Sequence, residues 1–163
     1  MEKIQKILAP TDLSELSAAG VRYALGLARA LGAEVTVYHV VTYEDMRRYN
    51  QQLGDFRIAP GDHFLAGHRA VLTRFLKENF SDLLPTVELQ EKVEVGTPDK
   101  SINEEAKVAG SDLIVISTHG RTGLNHLLFG SVTEKVVRHA PCPVLSIHPE
   151  PKEKNKAEVA AVA

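Results

Sequence analysis

Asp112-Leu113-Ile114-Val115-Ile116 runs directly into Ser117-Thr118-His119-Gly120-Arg121-Thr122-Gly123, and the loop that follows closes on Phe129-Gly130-Ser131. An uninterrupted aliphatic run of this kind reads as a strand covered on both faces, and such strands belong to parallel sheets with helices above and below. The glycines mark a loop whose backbone can approach a neighbour closely. Gly130-Ser131-Val132-Thr133-Glu134 then opens a helix, with Ser131 and Glu134 spaced as a capping box. Strand, glycine loop and helix in that order make the βα junction of an α/β domain.

The same alternation extends in both directions. Ile4 to Ala9 is a short apolar strand ending at Pro10, and a helix follows in which Asp12 and Glu15 have capping-box spacing. Leu16, Gly20, Ala24, Leu27, Ala28 and Leu31 recur at helical spacing, and Gly32 supplies the stop. Glu34 to Val41 is a β-branched strand. Residues 42–60 are polar and read as a long surface connection that includes a helical turn. Phe64, His68, Val71, Leu72, Phe75 and Leu76 share one helical face. Val87 to Val95 alternates partly and reads as an edge strand. Thr97 and Pro98 start a helix that presents Ile102, Ala106 and Ala109 inward and stops at Gly110. Pro143 to Ile147 is the last strand. The result is five strands and about four helices: a three-layer α/β/α domain around a five-stranded parallel sheet. Residues 1–148 form the domain, and 149–163 read as a flexible C-terminal tail.

Composition narrows the function classes. The 163 residues carry a formal charge of −2. That balance argues against an electrostatic grip on nucleic acid, which needs a basic face. A single cysteine excludes an intramolecular disulfide framework. No apolar run reaches the ~20 residues of a membrane-spanning helix, and the first dozen residues do not read as a secretory signal. A cytoplasmic protein is expected.

Ligands of open parallel sheets sit beyond the carboxyl ends of the strands. Here those ends lead into Pro10-Thr11-Asp12, His39-Val40-Val41, Gly96-Thr97-Pro98 and Ser117-Thr118-His119-Gly120. A helix start preceded by glycine offers unpaired amides and a positive dipole end, which suits phosphate. Gly120, Gly130, Ser131, Val132 and Thr133 are therefore candidates for a phosphate cradle. The same residues also read as a flexible loop with a serine cap, which needs no ligand. Neither a Walker loop nor a dinucleotide-binding Gly-x-Gly-x-x-Gly is present. The seven histidines include no His-Glu-x-x-His and have no cysteine pair beside them. No Gly-x-Ser-x-Gly elbow exists. Cys142, between two prolines, reads as structural.

The chain resembles the universal stress protein family. The resemblance rests on Ile7 to Ser14, His39-Val40-Val41, Val95-Gly96-Thr97-Pro98, Asp112 to Leu124, Leu128 to Glu134 and Pro141 to Leu145, and it spans about residues 2–148. The family's ATP-binding branch is marked by Gly, two residues, Gly, nine residues, then Gly-Ser or Gly-Thr. Gly120 and Gly130-Ser131 match that pattern, whereas Ser117 stands where the first glycine belongs. The resemblance implies a Rossmann-like fold of the adenine nucleotide alpha hydrolase type. It also implies ATP as ligand, with Mg²⁺ or Mn²⁺ bridging the phosphates. Asp12 would contact the ribose or adenosine portion. Val40 would meet the adenine edge through its backbone. Gly120, Gly130, Ser131, Val132 and Thr133 would hold the phosphates, and Pro10, Thr11, Gly96, Ser117, His119, Arg121 and Gly123 would belong to the same nucleotide site. A homodimer through the last strand, Val144 to Ile147, is expected, because an uncovered edge strand invites a partner. The implied function is a nucleotide-responsive stress protein, with slow ATP hydrolysis at most. The alternative is a dimeric interaction module without nucleotide.

Overall fold

A computed structural model describes residues 3–52, 62–119 and 130–149. Five strands, β1 (Lys6–Pro10), β2 (Glu34–Thr42), β3 (Glu88–Gly96), β4 (Leu113–Ser117) and β5 (Val144–Ile147), form one sheet in the order β3-β2-β1-β4-β5. Every neighbouring pair is parallel, as the alternation of strands and helices requires. β1 and β4 lie inside the sheet, and all five residues of β4 are buried. β3 is an edge strand, as its partial alternation implies, and β5 is the other edge.

Five helices cover the sheet: α1 (Glu15–Leu31), α2 (Tyr43–Gln52), α3 (Asp62–Phe80), α4 (Pro98–Ala109) and α5 (Ser131–His139). Val21, Leu25, Leu72, Leu76 and Phe80 of α1 and α3 pack on Ile7, Val35, Val37 and Val115 in one core. Ile102, Ala106 and Val136 of α4 and α5 pack on Leu8, Tyr38, Ile114 and Ile116 in the other. Gly20 lets α1 lie directly on β4. A Cβ at that position would come 2.8 Å from the backbone nitrogen of Ser117.

Several local details differ from the sequence reading. The polar stretch after residue 42 is not a plain connection, because Tyr43–Gln52 is a ten-residue helix. Thr42 and Asp45 start it reciprocally: the Asp45 amide donates to Thr42 Oγ1 at 3.1 Å, and the Thr42 hydroxyl donates to Asp45 Oδ2 at 2.8 Å. The N-cap of α1 is Ser14 rather than Asp12, with its side chain accepting from the Ser17 amide. The buried stripe of α1 runs through Ser17, Gly20, Val21, Ala24, Leu25 and Ala28, while Leu31 stays partly exposed. Val71 likewise faces outward on α3. The cap of α5 is Gly130, so the Ser131–Glu134 box does not form. Glu134 pairs instead with Arg138 one turn on, at 2.8 Å. Thr97 holds the cap position of α4 without a side-chain bond, and Gly32 and Gly110 end their helices in the left-handed conformation. Residues 53–60 of the expected connection, and all of the expected tail except residue 149, fall outside the described residues.

Candidate functional site

The carboxyl ends of β1, β2 and β4 open into one cavity of about 520 Å³. β1 delivers Pro10, Thr11 and Asp12 to it, and β2 delivers Val40. β4 brings Ser117 and His119, and the start of α5 brings Gly130, Ser131, Val132 and Thr133. The topology thus gathers residues separated by more than a hundred positions. Gly96 does not line the cavity. It sits behind Val40, where a Cβ would collide with the Ser101 hydroxyl, so its role is close packing of β3 on α4. Gly120, Arg121 and Gly123 lie outside the described residues.

The β1–α1 side is a chain of hydrogen bonds with one consistent direction. The Leu13 amide donates to Thr11 Oγ1 at 3.0 Å, and the Ser17 hydroxyl donates to the Ser14 carbonyl at 2.9 Å. The Ser17 proton is therefore committed, and the 2.8 Å contact between Thr11 and Ser17 must be a donation by Thr11. Asp12 Oδ1 accepts from the Ser14 amide at 3.0 Å. Leu13 takes φ 64 to allow both turns, a left-handed backbone that is unusual for leucine. Such strain concentrates where the surrounding bonds over-determine the backbone.

His39 is buried beneath this loop, and its Nδ1 lies 2.9 Å from the Thr11 carbonyl oxygen. A carbonyl only accepts, so Nδ1 carries the proton. The His39 ring stacks near His68 of α3 at 5.8 Å, and Phe64 meets His68 edge-on at 4.6 Å. On the far side Thr118 Oγ1 stands 2.9 Å from His119 Nδ1 and 3.1 Å from His148 Nδ1. One hydroxyl proton cannot serve both, so at least one of these Nδ1 atoms is itself a donor.

Ser117 occupies the end of β4 in an extended strand, and Leu13 is the only positive-φ residue other than glycine among those described. A serine at this point in the family pattern therefore needs no left-handed backbone. Its hydroxyl donates to the Leu16 carbonyl at 2.8 Å, and its own carbonyl accepts from Thr133 Oγ1 at 2.8 Å.

The charge of the cavity is unusual for a phosphate site. Among the described residues its lining carries two carboxylates, Asp12 and Asp45, three imidazoles, and no lysine or arginine. The positive element is the start of α5. A helix leaves its first amides without partners inside the helix, and Gly130 offers no side chain to take them. The partial positive charge of that terminus faces the space lined by Ser131, Val132 and Thr133.

The sequence profile of the universal stress protein family matches residues 3–148. The chain belongs to the universal stress protein family. A universal stress protein of Methanocaldococcus jannaschii is 31% identical over 158 residues, covering 91% of this chain and 85% of that protein. The UspA protein of Lactobacillus plantarum has the same fold, with a TM-score of 0.72 and 25% identity over 90% of this chain and 99% of that one. A universal stress protein solved in complex with cAMP superimposes with a TM-score of 0.64 at 21% identity, covering 91% of this chain and all of the other, a likeness of fold alone. Within this family fold, His39 and Val41, which the sequence reading placed at the end of β2, line the cavity together with residues it left out. Tyr38 and Thr42 follow from the register of β2, Asp45 from the Thr42 box, and His68 from α3. The phenol of Tyr38 is pushed above its usual range, chiefly by burial and then by Glu94. Cys142 is half-buried, and burial raises its thiol, which is the opposite of an activated cysteine.

Proposed function

We propose that the cavity binds an adenine nucleotide, ATP in the first instance, and that the protein acts as a nucleotide-responsive homodimer in the cytoplasmic stress response. One observation carries the reading. The cavity joins a carboxylate and hydroxyl side, built by Thr11, Asp12 and Ser17, to the bare amide end of α5. A carboxylate accepts from ribose hydroxyls, and helix-start amides donate to phosphate oxygens. Family resemblance and the cAMP complex of a relative with this fold support the same ligand class. The base would lie against Val40 and the apolar wall of Pro98, Ile102 and Val132.

The phosphates would bring their own cation. No cluster of three metal-ligating side chains exists among the described residues. The protein groups at the α5 side are amides and hydroxyls, which suit phosphate oxygens rather than a metal. Mg²⁺ or Mn²⁺ would offset the charge that no basic side chain in the described lining meets. The reading is of binding, with slow ATP hydrolysis at most. The four β5 residues, all half-buried at the sheet edge, would pair with a second copy. No described helix is long and apolar enough to cross a membrane.

Isothermal titration of the full chain with ATP and Mg²⁺ tests the ligand. One nucleotide per chain is expected, and Gly130→Val should weaken it about tenfold, a loss of one good contact. A Cβ there would stand 3.2 Å from the Thr118 carbonyl oxygen, so a branched side chain must shift the start of α5. No heat at millimolar ATP refutes the reading.

A further inference from the structure

Ser117 is bonded to both sides of the cavity. Ser117 donates its hydroxyl to Leu16 in the first turn of α1 and accepts the Thr133 hydroxyl from the first turn of α5, each at 2.8 Å. It is 4% exposed and lines the cavity itself. Its backbone nitrogen is also the atom against which α1 rests at Gly20. The first turn of α1 in turn holds the Asp12 loop, through the Ser14 amide on Asp12 and the Ser17 amide and hydroxyl on Ser14. The first turn of α5 carries the amides of Ser131, Val132 and Thr133. The hydroxyl makes the α1 link, and glycine at this position would have none.

We propose that Ser117 is a positioning residue that sets the separation between the Asp12 side and the α5 side, so that a ligand spanning both binds more tightly than its parts would. This rests on the adenine-nucleotide reading of the cavity, and the ligand it concerns is a nucleoside joined to phosphate. Joining two fragments adds affinity only when the protein already holds their sites at the matching distance. Without the hydroxyl, α1 keeps its fold and Thr11 keeps its bonds to Tyr38 and His39 of β2, but the first turn of α1 loses its side-chain link to β4 and the spacing to the cradle loosens. The cost then falls on the joined molecule and not on either fragment.

Titration of the full chain with adenosine, with tripolyphosphate and with ATP, all with Mg²⁺, separates these terms. Ser117→Ala is expected to weaken ATP by roughly fivefold to tenfold, the worth of one buried hydrogen bond, while adenosine and tripolyphosphate each change by less than about twofold. Ser117→Gly, which restores the family pattern, is expected to behave as Ser117→Ala and guards against a variant that does not fold. Unchanged ATP affinity in the variants, beside tight binding by the native protein, overturns the inference alone. A parallel loss for all three ligands overturns it as well, because that is general loosening. Failure of the native protein to bind ATP removes the nucleotide reading, and this inference falls with it.

Discussion

Gly20→Ala should destabilise the protein although alanine is the better helix former. Gly20 lies inside α1, where glycine is worse than alanine by about 1 kcal/mol on propensity alone. The added Cβ would sit 2.8 Å from the Ser117 nitrogen and 3.2 Å from the Ile116 carbonyl carbon. Both are backbone atoms of the buried strand β4 and cannot rotate aside. α1 must therefore retreat by roughly half an ångström, which disturbs close packing along its length. Overpacking of this kind costs about 1–3 kcal/mol. The retreat also stretches the Ser117–Leu16 bond from its 2.8 Å, with about 1 kcal/mol at stake. Net of propensity, the expected loss is about 1–3 kcal/mol, or a Tm lower by about 2–12 °C at this chain length. Gly26→Ala, in the same helix, is the control. Its Cβ meets nothing within 4 Å, so it should gain about 0.5–1 kcal/mol. Urea unfolding followed by circular dichroism reads both, with unchanged slope. Equal midpoint shifts of the same sign in the two variants would show that helix propensity, not contact with β4, governs position 20.

Ser14→Ala should cost about 1 kcal/mol of stability as a lost helix cap, whereas Asp12→Ala should chiefly weaken ATP, by about tenfold. Paired unfolding and titration curves that fell together in both variants would refute this division of roles. Asp112 Oδ2 accepts the amides of Gln5 at 2.8 Å and Lys6 at 2.9 Å, and these bonds hold its carboxyl below the usual range. A carboxyl depressed in the folded state adds stability above its unfolded value of about 3.9 and loses it as pH falls through the folded value. The stability gap between the native protein and Asp112→Asn should accordingly be full at neutral pH and shrink under strong acid. A gap of the same size at both extremes, measured by urea titration, would count against the two amide bonds as its source.

The sheet was legible because strands covered on both faces leave a continuous aliphatic record. Ile7 to Ala9, Val35 to Val41 and Leu113 to Ile116 are buried almost throughout. α2 left no such record. It buries only Met46 and Asn50 across ten residues, so no apolar stripe distinguishes it from a loop, and its only local sign is the Thr42–Asp45 box. The α1 cap was misplaced for a different reason. Asp12 and Ser14 are both eligible caps, and local sequence does not choose between them. The choice is made by distant partners: Thr11 is held to Ser17 by its hydroxyl and to His39 by its carbonyl. With Thr11 fixed, Leu13 turns left-handed and the helix begins two residues later.

The site divides along the same line. Its β-strand ends were legible, since a parallel sheet places ligands at the carboxyl edge whatever the side chains. Asp45 and His68 were not, because they reach the cavity from helices whose approach is a matter of tertiary packing. Ser117 is the instructive case. In sequence it reads as a blemish in a glycine pattern, a place where backbone freedom is lost. In three dimensions the residue is an extended strand end whose φ asks nothing special. A serine there gives up no conformation that the fold uses and gains a hydroxyl that reaches the Leu16 carbonyl. The glycine at this point in the family pattern is thus dispensable for the chain trace in this protein. The chain trace asks of position 117 only its backbone contact with Gly20 and its carbonyl bond to Thr133, which any small side chain allows, so the hydroxyl's bond to Leu16 is free to serve the spacing of the two cavity sides.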